Sequence, residues 1–139
     1  MGFVLDRKPY YVWPVTFEVP ADGGKWERQS FDGHFARLGQ ERVNTLLEAV
    51  QRRITAVRRG EPLDDDLAEL TDIAIADEIL IGWGGITDED SNEVPFTAQT
   101  KARVLGVETV AAAVVSAWAE SLQGSQAKKR TSRKSPGIG

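Results

Sequence analysis

The chain has no cysteine and only one histidine, His34. Without cysteine it can form no disulfide, no thiol nucleophile and no thiolate metal site, and this composition suits a reducing compartment such as the cytosol. A zinc site built from several histidines is excluded, and a Ser-His-Asp triad would depend on His34 alone. Because His34 falls on a strand edge, we interpret it as an ordinary surface or half-buried residue.

Long apolar runs are also absent. No run approaches the roughly 20 residues that a membrane span needs. Residues 1–6 lack the basic region and long apolar segment of a secretory signal. We therefore expect no membrane partner. With 139 residues, 41% of them apolar and 27% charged, the composition is typical of one soluble globular domain with a core.

No acidic residue follows Glu120, although five of the 17 basic residues lie beyond it. Residues 1–120 therefore carry 12 basic and 21 acidic side chains, a net charge of −9. An acidic body is unlike a nucleic-acid-binding domain, so we expect no nucleic-acid partner. Residues 124–139 are rich in Gly, Ser, Lys and Arg, which predicts a disordered basic tail.

An N-terminal β-hairpin is predicted over residues 10–38. Apolar and polar side chains alternate along residues 10–20, as in a β-strand. Residues 21–24 (Ala-Asp-Gly-Gly) indicate a turn, and residues 25–38 are expected to form the returning strand. Pro14 cannot donate to a ladder, so its strand is expected at a sheet edge. In a regular strand Trp26 would lie on the face opposite to Phe31 and Phe35. This predicts either a bulge near Gly33 or a surface-exposed Trp26.

Helical patterns follow the hairpin. Residues 40–59 carry an apolar stripe on one face, and the arginines opposite favour a solvated face over a phosphate site. Helices are also expected within residues 64–82, 97–105 and 107–122, although residues 79–81 fit a helix or a buried strand equally well. The apolar stripe on residues 40–59 consists of Val43, Leu46, Leu47, Val50, Ile54 and Val57. The predicted fold class is therefore α+β: one domain, residues 1–123, with the hairpin packed on about four helices.

Residues 79–96 combine an apolar run, a tryptophan among three glycines and an acidic loop. Asp88, Asp90 and Asn92 match the first three ligand positions of an EF-hand, but Glu93 and Gln99 replace its glycine and bidentate glutamate. The loop is better interpreted as a solvated acidic turn than as a calcium site. Since no nucleophile, base and orienting group occur together, we expect no enzyme activity, no cofactor and no metal.

Four short motifs follow one another along the chain: Phe35-Ala-Arg-Leu38, residues 79–90, Val94-Pro-Phe-Thr97 and Ala117-Trp-x-Glu-Ser121. Together they resemble the tail assembly chaperones of long-tailed bacteriophages, whose patterns include F-x-R-L, V-G-W-x-G-V-x-D-E-D-G and V-P-F-S/T. The resemblance covers nearly all of the first 123 residues. One departure is Ser91-Asn92 where that family has a glycine. Asn tolerates the left-handed conformation, so the turn is expected to persist.

The resemblance implies a function in assembly. Such chaperones bind the helical tape measure protein in the host cell cytoplasm, keep it soluble and are absent from the finished virion. A longer form, made by ribosomal frameshifting, would recruit the tail tube protein, and the present chain would be the short form. Coating of the tape measure protein by many copies would involve homo-oligomers. The alternative is a small structural or adaptor protein of the tail that is retained in the virion.

Helix-in-groove recognition is the mechanism that we expect for such a chaperone. Trp83 and Trp118 are candidate anchors, although core packing is the favoured interpretation for both. Trp26 is the favoured surface aromatic. The full set of interaction candidates is Trp26, Trp83, Asp88, Asp90, Phe96 and Trp118.

Overall fold

The computed structural model describes residues 8–123. It confirms the α+β fold, with an N-terminal hairpin and five helices. The predicted basic tail, residues 124–139, lies outside the described residues, as do residues 1–7. The elements in chain order are β1 (Tyr10–Ala21), β2 (Lys25–Ala36), α1 (Gln40–Arg59), α2 (Asp65–Glu69), α3 (Asp72–Ile79), β3 (Leu80–Gly84), α4 (Ala98–Leu105) and α5 (Val110–Gln123).

The hairpin is a long antiparallel pair in which β1 is an edge strand, because the sheet order is β1-β2-β3. This agrees with the position predicted for Pro14. The turn uses Gly23 and Gly24 at positive φ. Trp26 pairs with Pro20 beside this turn and is 62% exposed. The register also shifts between His34 and Phe35, so both the bulge and the exposed tryptophan are present.

The helical region predicted within residues 64–82 is present but divided. It forms two short helices, α2 and α3, and ends at Ile79, because Leu80–Gly84 is the third strand of the sheet. Thr71 interrupts the helix because its hydroxyl accepts a hydrogen bond from the Ala74 amide at 3.1 Å and starts α3 afresh. For residues 79–81, where the sequence fitted either a helix or a strand, the strand is confirmed from Leu80 onward. Gly82 fits there because a Cβ would lie 2.7 Å from the His34 ring.

Gly33 lies between Trp13 and Trp83 in the cross-strand register on the core face of the sheet. A Cβ at this position would lie 3.1 Å from Val15 Cγ2 and 3.3 Å from the Phe35 ring. The glycine therefore lets large side chains on either side close over the middle strand.

The core fills the space between the sheet, the first half of α1, α3 and α5. The largest fully buried side chains belong to Trp118, Phe35 and Leu46. Helix α5 begins at Val110 rather than at Val107 as predicted, because Thr109 adopts a φ of 68° and breaks the helix there. Val107, just before the helix, and Leu122, near its end, are exposed at 44% and 42%.

No single helix within residues 8–123 is long and apolar enough to cross a membrane. Helices α4 and α5 meet the requirements of length and composition only when they are taken as one pair, and that pair is bent by 95°.

A bidentate ion pair joins α1 to α3. Arg42 Nε and Nη2 donate to the two carboxylate oxygens of Glu78 at 2.7 and 2.6 Å. These hydrogen bonds lower the pKa of Glu78 below its ordinary value of 4.5, while burial opposes the shift and Coulomb attraction adds to it. Both partners are partly exposed, so the pair contributes modestly to stability.

We expect this contribution to depend on pH. A carboxyl whose pKa is lowered by folding stabilises the protein above its unfolded pKa, and the contribution disappears as the pH falls through the folded pKa. The free energy of unfolding of Glu78→Gln should therefore lie below that of the wild type at pH 7, and the two should converge below pH 4.5. Urea denaturation at several pH values measures this difference. Glu48→Gln is the control, because Glu48 is exposed on α1, the helix of Arg42, and forms no ion pair with the described side chains.

Candidate protein-interaction sites

The stretch from β3 to α4 folds into a compact corner. Gly85, at a φ of 85°, turns the chain out of β3. Thr87 and Glu93 then form an antiparallel bridge, and the Val94 amide donates to the Ile86 carbonyl at 2.9 Å. The acidic tip between them is exposed. This arrangement is a small hairpin-like loop standing on the core.

Asp88 holds this loop closed from within. Its Oδ1 accepts from the amides of Asp90 at 2.9 Å and Asn92 at 3.0 Å. One carboxylate oxygen is therefore used by the backbone of the loop itself. Among the side chains that the structure describes, no group of three or more from His, Cys, Asp or Glu could hold a metal ion. Asp88 and Asp90 are thus exposed residues of a self-capped turn.

The left-handed residue of the loop is Ser91, with a φ of 64°, and not Asn92 as the sequence suggested. A non-glycine residue pays about 1–2 kcal/mol for this conformation. We therefore expect Ser91→Gly to raise the free energy of unfolding by up to about 1 kcal/mol, after the extra entropy of glycine in the unfolded chain is subtracted. Ser91→Val should lower it. Thermal denaturation of the three proteins tests this order, and a stabilised Ser91→Val would contradict the assigned backbone.

Trp83 and Phe96 are brought together beneath the loop. Trp83 Nε1 donates to the Val94 carbonyl at 2.8 Å, and the two rings meet edge to face at 4.7 Å. Trp83 is only 9% exposed, and Phe96 is half-buried. The Lys101 ammonium lies 5.5 Å from the Phe96 ring centre and also forms an ion pair with Asp77 at 3.1 Å. These residues fasten α4 to the sheet and present little surface to a partner.

The remaining candidates lie apart from this corner. Trp118 is buried in α5, with 1% of its side chain exposed. Trp26 is exposed at the tip of the hairpin. Of the six candidates, only Trp26, Asp88 and Asp90 are exposed, and Trp26 lies at the start of β2 whereas Asp88 and Asp90 share the acidic loop. The described contacts therefore do not assemble them into one site.

A groove that sequence reasoning missed runs between α1 and α5. We call it the α1–α5 groove. It has a volume of about 600 Å³, and its floor is formed by Leu47, Val50, Val115 and Ala119. Ile54 and Val57 of α1 form its open end. Its lining is mainly apolar.

The groove exists because the fold covers only half of the apolar stripe on α1. Leu46 and Ala49, in the middle of the helix, are 0% and 4% exposed. Ile54 and Val57, one and two turns further on, are 47% and 74% exposed although they belong to the same stripe. Ala112, Ser116 and Ala119 leave the facing side of α5 too small to reach them. An apolar helix face is therefore left without a partner within the described chain.

A smaller depression lies on another side of the molecule. It has a volume of about 410 Å³ and lies between the acidic loop and α4, with Asp88, Glu93 and the exposed Val107 among its lining residues. Its rim carries two carboxylates and Arg103. It is another place where a partner could contact apolar side chains.

A model of the family described as YdaY prophage protein matches residues 38–134, which is more than half of the chain. The chain belongs to the YdaY prophage protein family. Membership of this family indicates that the protein is phage-derived. Neither a curated protein nor a solved structure matches the chain.

The YdaY match includes α1 through α5, and so both helices of the α1–α5 groove and the whole acidic corner. It begins after the hairpin, so Trp26 and the β1–β2 pair lie outside it. The motif resemblance over residues 79–97 falls inside the YdaY match. The sequence did carry one signal for the groove, since the stripe on α1 continues to Val57 beside a helix whose facing residues are alanine and serine.

Proposed function

We propose that this YdaY family protein is a non-catalytic tail assembly chaperone that binds an apolar helical segment of the tape measure protein and keeps it soluble during tail morphogenesis. The observation that carries the proposal is the α1–α5 groove, in which Ile54 and Val57 remain exposed at 47% and 74%. Membership of a prophage protein family and the motif resemblance over residues 79–97 support the same function.

The groove suits a helix physically. Its exposed side chains sit on α1 with spacings of three and four residues, which form the ridges against which another helix packs. Covering each such side chain contributes about 1.5–3 kcal/mol when its burial is complete. A small number of apolar anchors can therefore support binding to a chain that exposes long apolar helical faces.

The acidic body of the protein supports the solubilising part of the function. Residues 1–120 carry a net charge of −9, which repels other copies of the complex and opposes precipitation. In this proposal the protein acts in the host cell cytoplasm, several copies cover one tape measure protein, and a frameshifted longer form recruits the tail tube protein.

Co-expression with the tape measure protein encoded by the same prophage tests the proposal. The soluble fraction of the tape measure protein should rise several-fold, and the two proteins should purify together. An unchanged soluble fraction without co-purification would overturn the proposed function.

A structural or adaptor protein retained in the tail is the competing function. Mass spectrometry of purified phage particles separates the two functions. The chaperone should be absent from mature particles, whereas a fixed number of copies per particle would replace the chaperone proposal with the adaptor.

A further inference from the structure

The second half of α1 is basic on an otherwise acidic protein. Residues 50–59 contain four arginines and no acidic residue, whereas residues 1–120 together carry a net charge of −9. Two of the four arginines, Arg53 and Arg58, line the α1–α5 groove, and a single carboxylate, that of Asp72, lies on the same lining. The groove therefore has an apolar floor and a locally basic rim.

The two groove arginines differ from the other two in their contacts. Arg52 pairs with Asp64 at 2.8 Å, and Arg59 lies 3.7 Å from Glu61, both away from the groove. Arg53 instead donates to the neutral Leu67 carbonyl at 3.0 Å, and neither Arg53 nor Arg58 forms an ion pair with the side chains that the structure describes, which do not include that of Asp66. Carboxylates on a bound partner could pair with both.

The chain continues from the groove into a basic segment. Gln123, the last residue of α5, lines the groove. Residues 124–139 follow it directly and contain five basic residues and no acidic one. The sequence that follows the groove residue Gln123 is therefore basic, as is the second half of α1.

We propose that the occupant of the α1–α5 groove is an amphipathic helix with carboxylates flanking its apolar face, which pair with Arg53 and Arg58. This names the chemistry of the segment bound in the proposed function and rests on that function for its biological partner. The spacing from Val50 to Ile54 and Val57 matches an apolar face about two turns long. The arginines then select acidic segments over basic ones.

Two synthetic helical peptides test this inference with the full-length protein. Both carry the same apolar face, flanked by glutamates in one and by lysines in the other, and fluorescence anisotropy measures their dissociation constants. At about 0.05 M salt the glutamate peptide should bind about 10-fold more tightly, as expected for two exposed ion pairs. At 1 M salt, where the Debye length is about 3 Å, the difference should nearly vanish.

Matched variants assign the preference to the groove. Arg53→Gln with Arg58→Gln should bring the two peptides to within about 2-fold of each other. Arg52→Gln with Arg59→Gln removes the same charge from outside the groove and should keep most of the preference. Circular dichroism confirms that both variants fold.

Each outcome decides the inference. Equal binding of the two peptides, no binding of either, or a preference that survives Arg53→Gln with Arg58→Gln would overturn it. If equal binding is seen while the tape measure protein still co-purifies, the proposed function stands without the charge selection. If the glutamate preference is seen but the tape measure protein does not co-purify, the inference holds and the proposed function fails.

Discussion

Replacing Trp118 with alanine is expected to lower the free energy of unfolding by about 3–5 kcal/mol. The Trp118 side chain is 1% exposed and is the largest of the fully buried side chains. Without the indole, the protein loses the free energy gained by burying that group away from water. A cavity also remains, which the neighbouring sheet and helices cannot fill. A domain of this size is stable by about 5–15 kcal/mol, so the variant should be only marginally folded.

Trp26→Ala is the matched control for Trp118→Ala. Trp26 is 62% exposed, and its loss should change the free energy of unfolding by no more than about 0.5 kcal/mol. Urea denaturation followed by circular dichroism measures both variants. A Trp118→Ala protein with the wild-type midpoint that fails to bind the tape measure protein would instead make Trp118 an interface residue.

Placing glutamate at both Ile54 and Val57 is expected to abolish binding of the tape measure protein while the fold persists. These side chains are 47% and 74% exposed, so charging them costs the free protein little. In the complex the new carboxylates would lie against the apolar face of the bound helix and lose their hydration. Losing two apolar anchors weakens binding by at least 2 kcal/mol, which is about 30-fold.

Val12→Glu is the control for the groove variant. Val12 is 45% exposed on β1, far from α1 in the sequence and outside the groove lining. It receives one of the two negative charges of the groove variant, at nearly the exposure of Ile54, and binding should change less than 2-fold. Isothermal titration calorimetry of each variant against the tape measure protein gives the two dissociation constants. Loss of binding in Val12→Glu, with the groove variant unaffected, would place the interface on the sheet.

Several elements were predictable because their signals are local. The turn glycines and the alternation of Tyr10–Ala21 specify the hairpin, and the stripe on Gln40–Arg59 specifies α1. Thr97 caps α4, with its side chain and that of Thr100 exchanging hydrogen bonds with the backbone. Each of these patterns lies within one turn or one periodic segment, so no knowledge of the tertiary packing is needed.

Other elements depend on tertiary structure. Residues 79–81 fit either helix or strand, and pairing with β2 decides for the strand from Leu80 onward. The start of α5 depends on the positive φ of Thr109, whose hydroxyl donates to the Glu18 carbonyl of the hairpin at 2.9 Å. That contact joins residues 91 positions apart, which no local pattern can indicate.

The candidate site was the least predictable part. Aromatic residues in unusual contexts suggested Trp83 and Phe96, but the Val94 carbonyl and the packing of the two rings hold them inside the corner. The groove was not predicted, because the apolar spacing along α1 is continuous and indicates a single buried face. Which half of such a face is covered depends on the size of the side chains that α5 turns toward it.

Site-specific thiol labelling tests the central claim most directly, because the chain contains no cysteine of its own. Val57→Cys places one reactive group in the groove, and Val12→Cys and Val107→Cys place one on the sheet and one in the smaller depression. Maleimide modification rates are measured for each variant, free and bound to the tape measure protein. Binding should slow the reaction of Val57→Cys at least 10-fold and leave the other two nearly unchanged. An unprotected Val57→Cys, with protection at either of the other positions, would contradict binding in the α1–α5 groove.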